Sequence, residues 1–423
     1  MKYILCLFLT FTTPLHAGVD FSNWFVDRSM RVDYVLAGDK DSFDISLSRV
    51  CEEPFWGGSE TNLADTLDYG NFLFEVRDSV TDKLLYSRSF NTLFREWQTT
   101  SEAGRLRKAF QETLTFPYPQ KTVKLKIFRH PTPDEKELNY SIYINPADIL
   151  IEKRKPEAFE SEDISVSGDS HRKVDLAFIA EGYTAAEKEK FLDDVRRFSR
   201  YLFSMSPYDK NRDKFNIRTV FSVSEDSGTD NPGINEWKKT VLNSSFYTFY
   251  SERYLTTMDY WKVRDIAACV PYDQVIVLVN TDKYGGGGIF NHYSLFSADN
   301  VLSEQVFIHE FGHAFAGLGD EYYTSSVAYS DFYDLDKEPV EPNLTTLVHF
   351  DKKWKSMVRS KTPIPTPAKK KYAHTVGAFE GGGYIARGIY RPQLDCRMKS
   401  NTADGFCKVC QKAIQDMINF YSE

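Results

Sequence analysis

After its first residues this 423-residue chain has no apolar run long enough to cross a bilayer, which takes about 20 consecutive residues. A stable membrane span is therefore not expected. Positive charge is also in short supply. The 52 Lys and Arg are outnumbered by 60 Asp and Glu, for a formal charge of −8, and no basic stripe gathers anywhere. This argues against nucleic acid as a partner, and Lys369-Lys370-Lys371 reads as a solvated loop. Two binding signatures are missing as well. No Gly-Lys-Ser/Thr follows Gly285-Gly-Gly-Gly288, so the run is not a P-loop, and the acids at Glu225, Asp226 and Asp230 lack an EF-hand spacing. Histidine is scarce at 8 residues, and cysteine scarcer at 6. Any clustering of either is informative.

Aromatic residues are plentiful, with 32 Phe and 25 Tyr, which implies aromatic-rich strands and a sizeable core. The length suits two or three domains. Residues 1–17 read as a cleaved signal peptide: Met1-Lys2, an apolar stretch from Tyr3 to Leu15, then a small residue at Ala17. The expected location is periplasmic, secreted or at the cell surface. Without Cys6 five cysteines remain, an odd number. Cys396, Cys407 and Cys410 are expected to include one disulfide, the pair not being legible. Cys407-Lys-Val-Cys410 suggests a redox or zinc pair, but no second C-x-x-C supports that, and a structural role is expected.

Residues 18–165 are β-rich. Runs at Arg31–Leu36, Ser42–Leu47, Phe72–Val76, Thr113–Phe116, Val123–Phe128 and Tyr140–Ile144 alternate or carry many aromatics, and turn residues divide them. The spacing predicts a β-sandwich N-terminal domain with a structural or docking role. A charged linker is expected over 152–168. From 169 to 423 the pattern changes to α/β. Strands are expected at Val174–Ala180, Phe215–Val223 and Gln274–Asn280. A helix is expected from Ala185 to Phe203, with Thr184 as its N-cap. The glycine run leads into an expected edge strand above a cleft, where an extended peptide substrate can pair. His292, just after it, reads as structural.

The densest signal is His309-Glu310-Phe-Gly-His313 behind the apolar lead-in Val306-Phe307-Ile308. Residues four apart on a helix share a face, so both imidazoles can bind one ion. Glu310 beside them is placed to take a proton from a water that zinc activates. Gly317 is a helix terminator. The turn after it brings back Asp320 as third ligand, with Glu321 the alternative.

The stretch from His309 to Tyr322 resembles the signature of the bacterial IgA-peptidase family of zinc metallopeptidases. Ala180-Glu-Gly-Tyr183, Ser227–Pro232, Gly377–Gly381, Gly388–Pro392, Cys396-Arg-Met398 and Phe406–Cys410 extend the resemblance over roughly 174–410. It implies a secreted Zn2+ endopeptidase with a metzincin-like catalytic domain, acting on a protein or peptide substrate. His309 and His313 would be ligands, Glu310 the general base, and Met398 a Met-turn beneath the metal. One departure is that Asp320 lies seven residues after His313, where the metzincin pattern has six. The alternative is a surface-binding protein with a structural or vestigial zinc site. Such a site has no need of Glu310. The oligomeric state is not legible.

Overall fold

The computed structural model describes residues 19–153, 157–323 and 332–423. The expected signal peptide and residues 154–156 of the expected linker lie outside them.

The N-terminal part opens with a short helix, α1 (Phe21–Trp24), and builds two antiparallel sheets. The first has the order β2-β1-β5, from β1 (Phe25–Gly38), β2 (Phe43–Glu53) and β5 (Lys108–Pro119). The second has the order β4-β3-β6-β7, from β3 (Phe72–Asp78), β4 (Leu84–Phe90), β6 (Val123–Thr132) and β7 (Glu135–Ile144). A second short helix, α2 (Leu93–Trp97), capped by the Thr92 side chain, follows β4. Rings from both sheets meet in one core: Phe43 lies edge-on to Phe72, and Phe74 faces Phe116. Each strand run expected from the sequence in this part overlaps one of these strands, with Ser42 alone falling just ahead of β2. β4 was not expected, because Ser87, Arg88 and Ser89 interrupt its apolar residues. Its polar groups are satisfied from a distance instead. The Arg88 guanidinium stacks over Phe420 at 4.3 Å and donates to the carbonyls of Asn62 and Leu63.

The second part is a six-stranded sheet with the order β12-β13-β11-β9-β10-β8. Its strands are β8 (Glu160–Ser165), β9 (Val174–Glu181), β10 (Phe215–Phe221), β11 (Gln274–Val279), β12 (Gly286–Ile289) and β13 (Tyr293–Ser297). The four inner strands run parallel, and the two edges run antiparallel to them. β8 lies where a linker was expected. Its charged stretch, with half of its residues exposed and none buried, suits an outermost strand. Buried strands present alternate residues to opposite layers. Ala177, Ile179, Val275 and Val277 join the core of the N-terminal sheets and α4 (Tyr260–Ala267). Leu176, Phe178, Ile276 and Leu278 join a second core with α3 (Lys188–Leu202), α5 (Ser303–Ala316) and α6 (Lys408–Ser422). Thr184 and Glu187 form the capping box that starts the turn into α3. A hairpin of β14 (Phe379–Gly382) and β15 (Ile385–Arg391) precedes α6.

One buried cation joins the two parts. Arg31 on β1 is 1% exposed and donates to Asp33 on its own strand, at 2.7 and 2.8 Å. It also reaches Asp265 on α4 at 2.8 Å and the Trp261 carbonyl at 3.0 Å. Glu53 lies 3.3 Å away. Removing one member of a buried ionic cluster leaves the others uncompensated. Arg31→Ala is expected to cost about 3–5 kcal/mol of stability, measured by urea denaturation. A loss near zero would show that the cluster does not hold the parts together.

Candidate metal centre

α5 carries the His-Glu-x-x-His segment on the wall of an open cleft. Its apolar face, Val306, Phe307, Phe311 and Phe315, is buried in the second core, which leaves His309, Glu310 and His313 half-buried on the other side. The helix ends at Gly317, whose φ of 59° suits a residue without a Cβ. Gly317 N–H bonds to the His313 carbonyl and Leu318 N–H to that of Gly312, a Schellman-like close. Asn343 grips the following turn by accepting from Gly319 N–H at 2.7 Å and donating to the Gly319 carbonyl at 2.8 Å.

That turn places Asp320 opposite the imidazoles. Asp320 Oδ1 lies 3.1 Å from His309 Nε2 and 3.4 Å from His313 Nε2, and the two Nε2 atoms are 3.1 Å apart. Glu321, the alternative acid, points away into the core, where Asn343 Nδ2 donates to it at 3.1 Å. A ring nitrogen from each histidine and a carboxylate oxygen of Glu310 lie within 4.8 Å of one another.

Both histidines are oriented from behind. The Nδ1 of His309 bonds to the Arg397 carbonyl at 3.1 Å, and that of His313 to the Leu318 carbonyl. A carbonyl only accepts, so each Nδ1 carries a proton, and in the neutral ring each Nε2 presents a lone pair. Two lone pairs and a carboxylate oxygen thus face one point. Donors bound tetrahedrally at roughly 2.0–2.1 Å stand about 3.3 Å apart, and the observed separations fit that spacing. The nitrogen and oxygen donor set suits zinc.

The electrostatics favour a cation at the same point. Burial acts to lower the His313 pKa, but the Asp320 carboxylate overrides it and lifts the imidazole to about 9. Burial acts to raise Asp320, yet the two histidines hold it well below the usual carboxylate range. A proton and a metal ion compete for this position. Burial raises the Glu310 carboxyl, against the pull of the histidines.

Met398 is fully buried, and a Cβ on Gly312 would come within 2.9 Å of its sulfur, so the thioether lies against the helix behind the histidines. β12 crosses close above: a Cβ on Gly288 would collide with the Glu310 carbonyl. The glycine run does not lead into the edge strand but is itself that strand, β12, with β13 inside it, and its outer side is partly occupied. Leu255 N–H donates to the Gly286 carbonyl, and Gly286 N–H to that of Arg253. His292 lies away from the cleft, stacked on Tyr260 at 3.4 Å with Nε2 3.1 Å from Glu112.

Sequence reasoning missed several cleft residues. Tyr384 donates to Asp320 Oδ2 at 2.5 Å. Arg253 also lines the cleft, its Nη2 3.4 Å from the Tyr322 hydroxyl. From the N-terminal part come Asn91 and Glu96. Burial pushes Glu96 up to about 7, and Tyr254 donates to its carboxylate. Nothing local in Leu93-Phe-Arg-Glu-Trp97 signals this position.

Residues 163–374 and 368–418 match the family IgA Peptidase M64, and residues 20–141 match Peptidase M64 N-terminus. The chain belongs to the IgA peptidase M64 family. The likeness read from the sequence therefore holds, and membership makes the chain a peptidase of a metallopeptidase family, acting on protein or peptide substrates. Curated proteins give no match. Among the described residues no helix is long and apolar enough to cross a membrane.

Groups that orient a metal-binding carboxylate commonly contribute 10–100-fold in affinity. Tyr384→Phe is expected to weaken metal binding at this centre by about that factor, read by competition with a chromogenic chelator. Unchanged affinity would rule out a positioning role for the Tyr384 hydroxyl.

Proposed function

We propose that this protein is an exported zinc-dependent endopeptidase, with His309, His313 and Asp320 as metal ligands and Glu310 as general base. The observation that carries the reading is the convergence of two Nε2 lone pairs and Asp320 Oδ1 at 3.1–3.4 Å, with a Glu310 carboxylate oxygen alongside. A zinc ion held there would polarise the scissile carbonyl and lower the pKa of a water near it. Glu310 takes the proton from the attacking water and delivers it to the leaving amine nitrogen. Arg253 and Tyr322 line the same cleft and offer donors to the carbonyl oxygen as it gains charge. The open cleft suits a chain passing through it better than a small molecule enclosed by it.

The helix bearing both histidines, the turn returning Asp320 and the buried Met398 support a metzincin-like reading of the catalytic part. Two antiparallel sheets around a shared aromatic core support a β-sandwich reading of the N-terminal part. Export rests on the apolar stretch before Ala17. Immunoglobulin cleavage is not part of the proposal, because nothing in the cleft singles out that substrate.

Glu310→Gln preserves the ligands and removes the base. It is expected to keep its metal by elemental analysis and to lose about 10²–10⁴-fold in peptide hydrolysis, measured on an unbiased peptide library. Full activity in this variant would refute the assigned role.

A further inference from the structure

Behind the cleft the fold assembles a second set of metal-binding side chains. Cys396, Cys407, Cys410 and Glu321 are all buried, and one ligand atom from each lies within 4.8 Å of the others. All three cysteines are free thiols, so the disulfide expected among them is not formed. The sulfurs of Cys396 and Cys410 stand 3.7 Å apart. Glu321 Oε1 lies 3.3 Å from Cys410 Sγ and 3.9 Å from Cys407 Sγ.

We propose that these four residues form a second, structural zinc site, distinct from the cleft centre. Thiolates bound tetrahedrally to zinc at about 2.3 Å stand roughly 3.7–3.8 Å apart, and a carboxylate oxygen stands about 3.6 Å from each. The observed spacings bracket those values. The backbone is arranged for thiolates. Cys407 N–H points to Cys396 Sγ at 3.2 Å, and Cys410 N–H to Cys407 Sγ at 3.5 Å. Cys407 caps α6, so the positive end of that helix also faces the cluster. Cys407-x-x-Cys410 has the ligand spacing of structural zinc sites.

Glu321 supplies the independent observation. It is 0% exposed and its Oε2 has no hydrogen-bond partner, while Arg391, the buried cation whose charge reaches it, gives its Nη1 to the carbonyls of Glu380 and Gly381 instead. A buried carboxylate needs a compensating charge, and a divalent cation among three sulfurs provides it. The site would also brace the cleft. Glu321 follows Asp320 directly, and its N–H donates to the Met398 carbonyl at 2.9 Å. Arg397, whose carbonyl orients His309, lies between Cys396 and Met398. One ion would thus tie the turn carrying Asp320 to the segment behind both histidines.

The proposal stands whether or not the cleft holds a metal, and the test separates the two. His309→Ala/His313→Ala removes the cleft donors. That variant, shown folded by circular dichroism, is expected to retain one zinc per chain. Loaded with cobalt(II), it is expected to show thiolate-to-cobalt charge-transfer absorption, lost on adding Cys407→Ser. No zinc in the folded double variant after zinc loading would overturn the site. Should Cys407→Ser fail to fold, wild-type protein denatured in chelator with an alkylating agent and no reductant decides. All three cysteines are expected to be alkylated, and a disulfide-linked peptide among them would overturn the proposal.

Discussion

The Nδ1 protons of His309 and His313 are held by the carbonyls of Arg397 and Leu318, and the chemistry of the cleft depends on that pair of bonds. An imidazole free to flip or change tautomer can turn an N–H toward the focus, where it would repel a cation. Fixing each Nδ1 as donor leaves Nε2 as the lone pair of the neutral ring. Asp320 then has to find cations, and Tyr384 holds the orientation it adopts. Helical spacing brings the histidines together, but the backbone behind them decides what they present.

This division explains what was legible in the sequence. The histidine spacing, the terminating glycine and the apolar face of α5 are local properties, each readable within a few residues. So are Thr184 with Glu187, and the alternating strands of the N-terminal sheets. The choice between Asp320 and Glu321 was not local. Consecutive residues point in different directions out of a turn, and the grip of Asn343 on Gly319 sets which acid faces the cleft. Glu96 was invisible because its surroundings come from Tyr254 and α5. The grouping of Cys396 with the C-x-x-C pair was visible but suggested a disulfide, and Glu321 is supplied by a distant segment.

The N-terminal part is more than an appendage. Its sheets share one core with a face of the six-stranded sheet and with α4, and Arg31 carries a buried ionic cluster across the junction. Glu96 and Asn91 reach the cleft wall from it. A sheet buried on both faces has to be covered twice. Here α3, α5 and α6 cover one side, and α4 with the N-terminal sheets covers the other.

The Arg397 carbonyl lies 88 residues beyond the histidine it orients. The chain therefore carries its histidines long before it carries what aims them. A ribosome-bound nascent chain, or a fragment ending short of that carbonyl, has the ligands without their alignment. The alignment of the cleft is thus deferred until residue 397 has been made and folded back against α5.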